Sequence, residues 1–327
     1  MFKSILFRVI TSTIIILVAG AVFCVCGCKR GAGSANAEPA GESQLPIADP
    51  FILNYGNRYY AYGTGEPGFR VYVSDDLVHW EKKGIALDLE KCWGTKWFWA
   101  PEVYYIESRK LFYLFYSAEE HICVATSTSP EGPFVQDEIK PIREEQGIDT
   151  SLFIDRDGKA YLFFVRFTDG NVIWVAEMND DLKSIKEETL TECLRAEQPW
   201  ETIMGKVVEG PSVFRHESTC YLLYSANDYQ SQEYAVGYAI APSPFGPWTR
   251  YSGNPIFKKG FPNAGGLVGI GHGAPLKTID GKLMYVFHAH CNDTTIHPRH
   301  TYINSELKIS PDGSLSMPGK ILVPELS

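Results

Sequence analysis

The chain has 327 residues, of which 45% are hydrophobic and 21% are charged, a composition typical of globular proteins rather than disordered or fibrous ones. Its formal net charge is −9, and it contains no long basic run. Binding to nucleic acid requires a cationic surface that neutralises phosphates, so this charge balance excludes nucleic acid as an expected partner. It favours a neutral partner or a small molecule.

The first 28 residues differ in composition from the rest of the chain. Lys3 and Arg8 give a positive start, and an apolar stretch follows from Ile14 to Cys26. This order of charge and hydrophobicity predicts an export signal. A membrane-spanning helix is the alternative, because the segment is nearly long enough to cross a bilayer.

The end of this segment, Val25-Cys26-Gly27-Cys28, resembles a bacterial lipoprotein signal, in which the chain is cut before a cysteine that is then lipidated. Cys26 departs from the pattern, since such signals usually carry Ala or Ser there. We expect export, with a lipid anchor at Cys28 as the only membrane contact. The face of the bacterial cell envelope, periplasmic or outer, stays open. Residues 29–44 are small and polar and are predicted to form a flexible linker.

Five aromatic runs recur along the remaining chain. Their marker tyrosines are Tyr60, Tyr113, Tyr161, Tyr221 and Tyr285, with gaps of 53, 48, 60 and 64 residues. Turn residues precede the runs, as at Asp157-Gly158, and a second strand-like segment follows each run. Each run is therefore predicted to be a half-buried strand that follows a hairpin turn.

Repeats of this length with about four strands each predict an all-β fold, a five-bladed β-propeller that forms one domain over residues 45–327. A jelly roll or a sandwich is the alternative. Those folds would explain the strands and turns, but they would not explain the recurring unit.

An acidic residue or a histidine stands just before each aromatic hairpin. These residues are Asp49, Glu102, Asp149, Glu209 and His272. The first strand of each propeller blade lines the central channel, so equivalent positions on different blades are expected to converge near the axis. Taken singly, each acid is also explained by turn chemistry. Clustered carboxylates repel one another, a cost that functional sites tolerate, and such a cluster suits glycoside hydrolysis.

In this order, one per repeat, the motifs resemble glycoside hydrolase family 43, the five-bladed propellers that degrade arabinan and xylan. The motifs are Ala48-Asp-Pro50, Trp99-Ala-Pro-Glu102, Ile148-Asp149, Glu209-Gly-Pro211 and Gly271-His272. Each is short and weak alone, and the resemblance covers essentially all of residues 45–327.

The resemblance implies a role for each matching residue. Asp49 would be the general base that activates water, Glu209 the general acid, and Asp149 the residue that raises the pKa of the acid and orients it. The family inverts the anomeric configuration, so base and acid are expected to lie roughly 6.5–9.5 Å apart. Trp99 and Ala100 would shape the sugar pocket. Glu102 stays outside the catalytic set.

Three further assignments follow from the resemblance or compete with it. Arg299, in Arg299-His-Thr-Tyr302, would contact hydroxyls of the bound sugar; a surface salt bridge is the alternative. His272 would face a calcium ion in the central channel, or would simply be a buried histidine hydrogen-bonded to a neighbour. His288 and His290 lie on one strand face and raise the possibility of zinc, but no third ligand is apparent. The hydrolysis itself would need no cofactor.

The substrate is the least determined feature. Long loops from Asp88 to Phe98 and from Glu192 to Val207 carry Trp93, Trp97 and Trp200, and would wall a funnel that favours action on chain ends. We therefore expect an exo-acting α-L-arabinofuranosidase that works as a monomer on arabinose- or xylose-containing oligosaccharides. A β-D-xylosidase or an endo-arabinanase of the same family is the alternative, and a non-catalytic sugar-binding propeller is the alternative from another class.

Overall fold

The computed structural model describes residues 43–327, which form 22 strands and three short 3-10 helices. The predicted export signal, the lipid anchor at Cys28 and nearly all of the linker lie outside the described residues. Within residues 43–327, no helix is long and apolar enough to span a membrane.

Five antiparallel sheets form the blades of a β-propeller, which confirms the predicted fold. Blade 1 contains β1 (Ala48–Tyr55), β2 (Arg58–Thr64), β3 (Arg70–Ser74) and β4 (His79–Ile85). Blade 2 contains β5 (Trp99–Ile106), β6 (Leu111–Ala118) and β7 (His121–Ser127). Blade 3 contains β8 (Gly147–Ile154), β9 (Ala160–Arg166), β10 (Val172–Glu177) and β11 (Thr191–Leu194).

Blade 4 contains β12 (Val208–His216), β13 (Thr219–Ala226), β14 (Ala235–Ala241) and β15 (Thr249–Arg250). Blade 5 contains β16 (Gly271–Lys277), β17 (Leu283–Ala289), β18 (His300–Asn304) and β21 (Ile321–Leu322), and β19 (Lys308–Ile309) pairs with β20 (Leu315–Ser316) beside it. The last strand, β22 (Glu325–Leu326), pairs in parallel with β4. The 3-10 helices are Glu187–Thr189, Pro199–Glu201 and Pro262–Ala264.

Blade 2 departs from the prediction of about four strands, since its sheet has three among the described residues. A single bridge between Thr126 and Val135 occupies the place of a fourth strand. The two ends of the described residues meet at blade 1: Leu45 donates from its backbone to the carbonyl of Pro324 at 3.0 Å, and Gln44 pairs with Glu325. The packed fold therefore already includes Gln44, which was placed in the linker.

The hydrophobic core is divided into five clusters, each between two adjacent blades. The middle strand of a blade contributes side chains to the core clusters on both of its faces. In blade 4, Tyr221 and Leu223 pack toward blade 5, whereas Leu222 and Tyr224 pack toward blade 3. These strands were predicted to be half-buried, and that was wrong. A blade is covered on both faces, so its middle strand is apolar on both sides.

Candidate active site

Every inner strand begins with a β-bulge. The register of the first hairpin shifts at the same place in all five blades, and one residue in each bulge has a positive φ. These five residues are Asp49, Ala100, Asp149, Gly210 and His272. Their φ angles are 51°, 44°, 58°, 54° and 42°. Bulges re-aim side chains, and left-handed backbone at non-glycine residues is a strained state that is found at functional sites.

A neighbouring side chain accepts a hydrogen bond from each of these strained backbone amides. The amide of Asp49 donates to Nδ1 of His288 at 3.0 Å, and that of Asp149 donates to Oγ of Ser117 at 3.0 Å. The amide of His272 donates to Oγ of Ser225 at 2.7 Å. Since each of these five amides has a partner, the surrounding structure holds the left-handed conformation in place.

The prediction that the four acids occupy equivalent positions in their blades was wrong, as the bulges show. Only Asp49, Asp149 and His272 share it. Glu209 lies one residue earlier, and Glu102 lies two residues after its counterpart Ala100. A bulge sets two residues against one on the partner strand, which interrupts the alternation of side chains. Glu209 therefore reaches the same space as Asp49 and Asp149 although its position is not equivalent.

These side chains line a cavity of about 350 Å³ at one end of the propeller axis. Its walls are Asp49, Trp99, Ile148, Asp149, Asn171, Val207, Glu209, Asp228, Tyr229, His272 and Arg299. All three predicted catalytic acids are present, together with two of the three predicted substrate residues. The volume is at the small end of the roughly 300–1,000 Å³ found for ligand pockets, and so suits a small ligand or one end of a longer one.

Asp49 is a buried carboxylate surrounded by donors and a cation. Nη1 of Arg299 donates to its Oδ1 at 3.0 Å, and Oγ1 of Thr64 donates to its Oδ2. Nδ1 of His272 lies 3.4 Å from Oδ1. Burial opposes ionisation, but Arg299, with smaller contributions from His272 and His288, outweighs it and holds the pKa of Asp49 well below its usual range. Asp49 is therefore an ionised carboxylate at neutral pH.

Asp149 and Glu209 are equally buried but lie beside other acids instead of an arginine. Burial raises the pKa of Asp149 to about 7, and the charge of Asp49 adds to the rise. Burial also raises the pKa of Glu209 to about 7, with a further contribution from Asp149. Near neutral pH this pair therefore retains protons that Asp49 has lost.

Two donors position the carboxyl group of Glu209. Nδ2 of Asn171 donates to Oε2 and the hydroxyl of Tyr234 donates to Oε1, both at 2.8 Å. Both bonds favour the ionised form, but burial and Asp149 outweigh them. Gly271 makes the approach of Tyr234 possible, because a Cβ at that position would meet the tyrosine ring at 2.2 Å.

The three predicted substrate residues are separated by the structure. Trp99 and Arg299 line the cavity, whereas Ala100 is buried below it beside the channel. The backbone amide of Ala100 donates to Oγ1 of Thr64 at 3.0 Å, and Thr64 in turn donates to Asp49. Ala100 therefore reaches the site through Thr64.

Arg299 is held between Asp49 and an aromatic ring. Its guanidinium carbon lies 4.5 Å from the centroid of the Tyr229 ring, and Nη1 lies 3.3 Å from Nε2 of His288. Its Nε is buried and has no partner among the described residues. The salt bridge considered as an alternative for Arg299 is thus real, but it is a buried one, with Asp49 inside the cavity.

Glu102 lies in the channel below the cavity, where it accepts a hydrogen bond from the hydroxyl of Tyr104. Burial raises the pKa of Glu102 to about 8, and the charge of Asp149 contributes. Glu102 is therefore largely protonated at neutral pH. It is absent from the walls of the cavity itself.

Nδ1 of His272 faces Asp49 and, at 3.9 Å, Oδ2 of Asp149. Asp149, Glu209 and His272 could offer ligand atoms within 4.8 Å of one another. Two carboxylates and one imidazole supply only part of the 6–8 ligands that calcium takes, so water would have to complete a calcium site here, and the carboxyl groups that keep protons would have to lose them.

His288 and His290, considered as a zinc pair, have separate partners. His288 contacts Asp49 and Arg299, and burial, with the charge of Arg299, lowers its pKa to about 3. Nε2 of His290 lies 2.8 Å from the carbonyl oxygen of Tyr229.

Several residues of the site have no marker in the sequence. They are Thr64, Asn171, Asp228, Tyr229 and Tyr234, whereas His288 was noted in the sequence only as half of a possible zinc pair. Thr64 and His288 lie at the ends of second strands, and the others lie near hairpin loops. The ends of the second strands and these loops lie at the same end of the blades as the start of the inner strands. A polar residue at either place could therefore have been predicted to lie near the site.

The comparisons with known proteins agree with this geometry. The family described as Glycosyl hydrolases family 43 matches residues 43–315. The crystal structure of an endo-1,4-beta-xylanase from Bacteroides thetaiotaomicron is 54% identical, with a TM-score of 0.85 over 88% of this chain and 100% of that chain.

Two curated relatives are more distant. A beta-D-galactofuranosidase of Aspergillus niger is 28% identical over 64% of this chain. An extracellular exo-alpha-(1->5)-L-arabinofuranosidase of Cellvibrio japonicus is 28% identical over 43% of this chain. The matches span 66% and 46% of the lengths of these two relatives. With the family match over most of its length and the acids in one cavity, the chain belongs to glycosyl hydrolase family 43.

Proposed function

We propose that this protein is an inverting exo-glycosidase that removes an α-L-arabinofuranosyl unit from oligosaccharides. The observation that carries the proposal is the unequal protonation of acids that share one cavity: Asp49 is ionised, whereas Asp149 and Glu209 hold protons up to a pH of about 7. Inverting hydrolysis needs this combination of one base and one acid.

In the proposed mechanism the sugar ring lies between Asp49 and Glu209. Asp49 takes a proton from a water molecule as its oxygen attacks the anomeric carbon. Glu209 gives its proton to the glycosidic oxygen as the bond to the leaving group breaks. The hemiacetal product carries the hydroxyl of that water, and the proton on Asp49 returns to Glu209 through solvent.

The remaining polar groups prepare these two residues. Burial keeps Glu209 protonated, and the neighbouring carboxyl group of Asp149 adds to this effect. Asp149 itself accepts a hydrogen bond from the amide of Gly210 at 3.1 Å, next to Glu209. Arg299 keeps Asp49 ionised, and its guanidinium on the cavity wall can donate to sugar hydroxyls. Trp99 supplies an apolar wall for the ring. No step of this chemistry requires a metal or an organic cofactor.

A β-D-xyloside is the second candidate substrate. It is favoured by the 54% identity to a structure described as an endo-1,4-beta-xylanase, whereas the arabinofuranoside is favoured by the Cellvibrio relative. The cavity size fits one terminal pentose of either kind. To distinguish the two substrates, we would measure the hydrolysis of 4-nitrophenyl α-L-arabinofuranoside and β-D-xyloside by the purified protein. The Asp49→Ala variant is the inactive control. Turnover of neither glycoside, with intact oligosaccharides left uncleaved as well, would reject the hydrolase.

Stereochemistry tests the mechanism independently of the sugar. Proton NMR of the first product formed should show the anomer opposite to that of the substrate. Retention of configuration would contradict the assignment of Asp49 as base and would require a nucleophile instead.

We also propose that the protein is exported and anchored by lipid at Cys28, and that it acts as a monomer. The positive and apolar N-terminal sequence and the extracellular Cellvibrio relative support export. Metabolic labelling with a fatty acid should mark the wild-type protein and fail to mark Cys28→Ala. Equal labelling of both proteins would reject the anchor.

A further inference from the structure

Trp97 is an exposed aromatic residue beside the cavity that the mechanism above does not use. It is 43% exposed and has a φ of 57°, a left-handed conformation that a tryptophan rarely adopts. Phe98, its neighbour, is buried in the core between blades 1 and 2. The chain thus holds a large apolar side chain in solvent, in a strained conformation, next to a firmly anchored residue.

Two carboxylates hold this strained segment from opposite sides. An oxygen of Glu66, in the loop after β2, accepts hydrogen bonds from the backbone amides of both Trp97 and Phe98. Glu119, in the hairpin after β6, accepts from the amide of Thr95 at 3.0 Å and from its hydroxyl at 2.8 Å. Strain maintained by such supporting contacts is typical of functional segments rather than of freely moving loops.

The Trp97 ring lies next to Trp99, outside the residues that line the cavity. Its centroid is 5.8 Å from that of Trp99, and the two planes differ by only 16°. Trp99 lines the cavity together with Asp49 and Glu209. The Trp97 ring therefore lies within reach of a ligand that extends out of the cavity past Trp99.

The ammonium group of Lys96 lies over one face of the Trp97 ring. Nζ of Lys96 lies 4.2 Å from the ring centroid, and Lys96 is itself exposed. A flexible surface side chain covers this face and can leave it at little cost. The apolar C–H face of a sugar ring can replace it, since an aromatic ring offers a large flat contact with little loss of conformational entropy.

We infer that Trp97 forms a second sugar-binding subsite, which takes a neutral pentose or hexose ring adjoining the one held in the cavity. Glu66 is a positioning residue for this subsite. The inference rests on the proposed glycosidase function and specifies its substrate further: an oligosaccharide of at least two rings, cleaved more efficiently than a simple aryl glycoside.

The test compares Trp97→Ala with the wild-type full chain on two substrates. For an arabino- or xylo-oligosaccharide, kcat/KM should fall by about 5- to 10-fold, the range expected for loss of one aromatic contact. For the 4-nitrophenyl monoglycoside it should stay unchanged. Trp97→Phe should restore much of the loss, and Lys96→Ala should leave the oligosaccharide rate unchanged or raise it.

The role of Glu66 is tested by the same comparison of kcat/KM on the two substrates. Glu66→Ala should lower kcat/KM for the oligosaccharide only, whereas Glu66→Gln, which keeps an acceptor oxygen, should restore it. A purely structural role would lower the rates on both substrates together, and would lower the melting temperature in proportion.

Equal losses on both substrates, or no loss on the oligosaccharide, would overturn the subsite while leaving the glycosidase intact. If the wild-type protein hydrolysed neither substrate, the proposed function would fail instead. Oligosaccharide titration monitored by tryptophan fluorescence would then decide the subsite: weaker binding by Trp97→Ala supports it, and equal binding rejects it.

Discussion

The two sides of the cavity contain the same chemical group in opposite states. On the base side, Asp49 lies against Arg299 and His288; on the acid side, Asp149 and Glu209 lie against each other. Asp49 is 8% exposed, Asp149 6% and Glu209 8%, so burial does not distinguish them. The pKa is low on the base side and about 7 on the acid side because the neighbouring charges differ. The neighbours of each buried acid thus decide its protonation state, on which the proposed division into base and acid depends.

Removing either reacting group should have the largest effect. Asp49→Asn and Glu209→Gln should each lower kcat by at least about 10²–10⁴-fold, the usual contribution of one general acid or base, because both act in a single displacement. Steady-state rates on the preferred nitrophenyl glycoside measure the loss, and circular dichroism with thermal melting confirms the fold. Near wild-type activity in either variant would contradict the roles.

Glu102→Gln is the matched control for Glu209→Gln. Glu102 is largely protonated near neutral pH, so an amide of the same shape replaces a group that is already neutral. Its activity should remain close to that of the wild type. A loss as severe as that of Glu209→Gln would place Glu102 in the reaction and would contradict its exclusion from the catalytic set.

Removing the cation on the base side should make that side resemble the acid side. Arg299→Met is expected to raise the pKa of Asp49, because burial then acts without the opposing charge of Arg299, in addition to weakening sugar binding. Because Asp49 must be ionised to act, the acidic limb of the kcat/KM profile should move to higher pH. Arg299→Lys should keep the limb nearer its original position. An unmoved limb in Arg299→Met would show that Arg299 does not control Asp49.

Removing the neighbouring acid should lower a pKa on the acid side, the opposite of the rise expected for Asp49 on the base side. In Asp149→Asn, Glu209 loses a negative neighbour and its pKa should fall, although burial still raises it. Since Glu209 must be protonated to act, the alkaline limb of the pH–rate profile should move to lower pH. An alkaline limb that stays in place, or one that moves upward, would contradict the coupling of the two carboxyl groups.

The smallest effect concerns the ring that covers Arg299. Tyr229→Leu should raise KM by about fivefold, which corresponds to the ~1 kcal/mol of a partly exposed cation–π contact. Tyr229→Phe keeps the ring and should behave as the wild type. If Tyr229→Phe were as impaired as Tyr229→Leu, the hydroxyl rather than the ring would be the important group.

Much of the fold and part of the candidate site could be predicted from the sequence. The recurring aromatic runs predicted the blades, and the residue before each run predicted that Asp49, Asp149 and Glu209 meet on the axis. The equivalence of the acids could not be predicted correctly, because a bulge is a backbone feature without a fixed residue type. Partners such as Thr64 and Tyr234 were missed because they depend on how neighbouring blades pack.

The histidines show the same limit. His288 and His290 were considered together because their spacing predicts one strand face. The residue that each histidine contacts, however, comes from another blade or loop. His288 contacts Asp49 of blade 1, and His290 contacts the loop of blade 4 that carries Tyr229. Spacing within one strand could not distinguish a metal pair from two separate hydrogen-bonded side chains.

The most direct test of the account is an NMR titration of the carboxyl carbons in protein labelled with ¹³C at aspartate and glutamate side chains. Asp49→Asn, Asp149→Asn and Glu209→Gln assign the three signals. We expect Asp49 to stay ionised to well below its ordinary pKa of 3.8, while Asp149 and Glu209 take up protons near pH 7. Ordinary titration of all three groups near pH 4, or protonation of Asp49 before Glu209 as the pH falls, would contradict it.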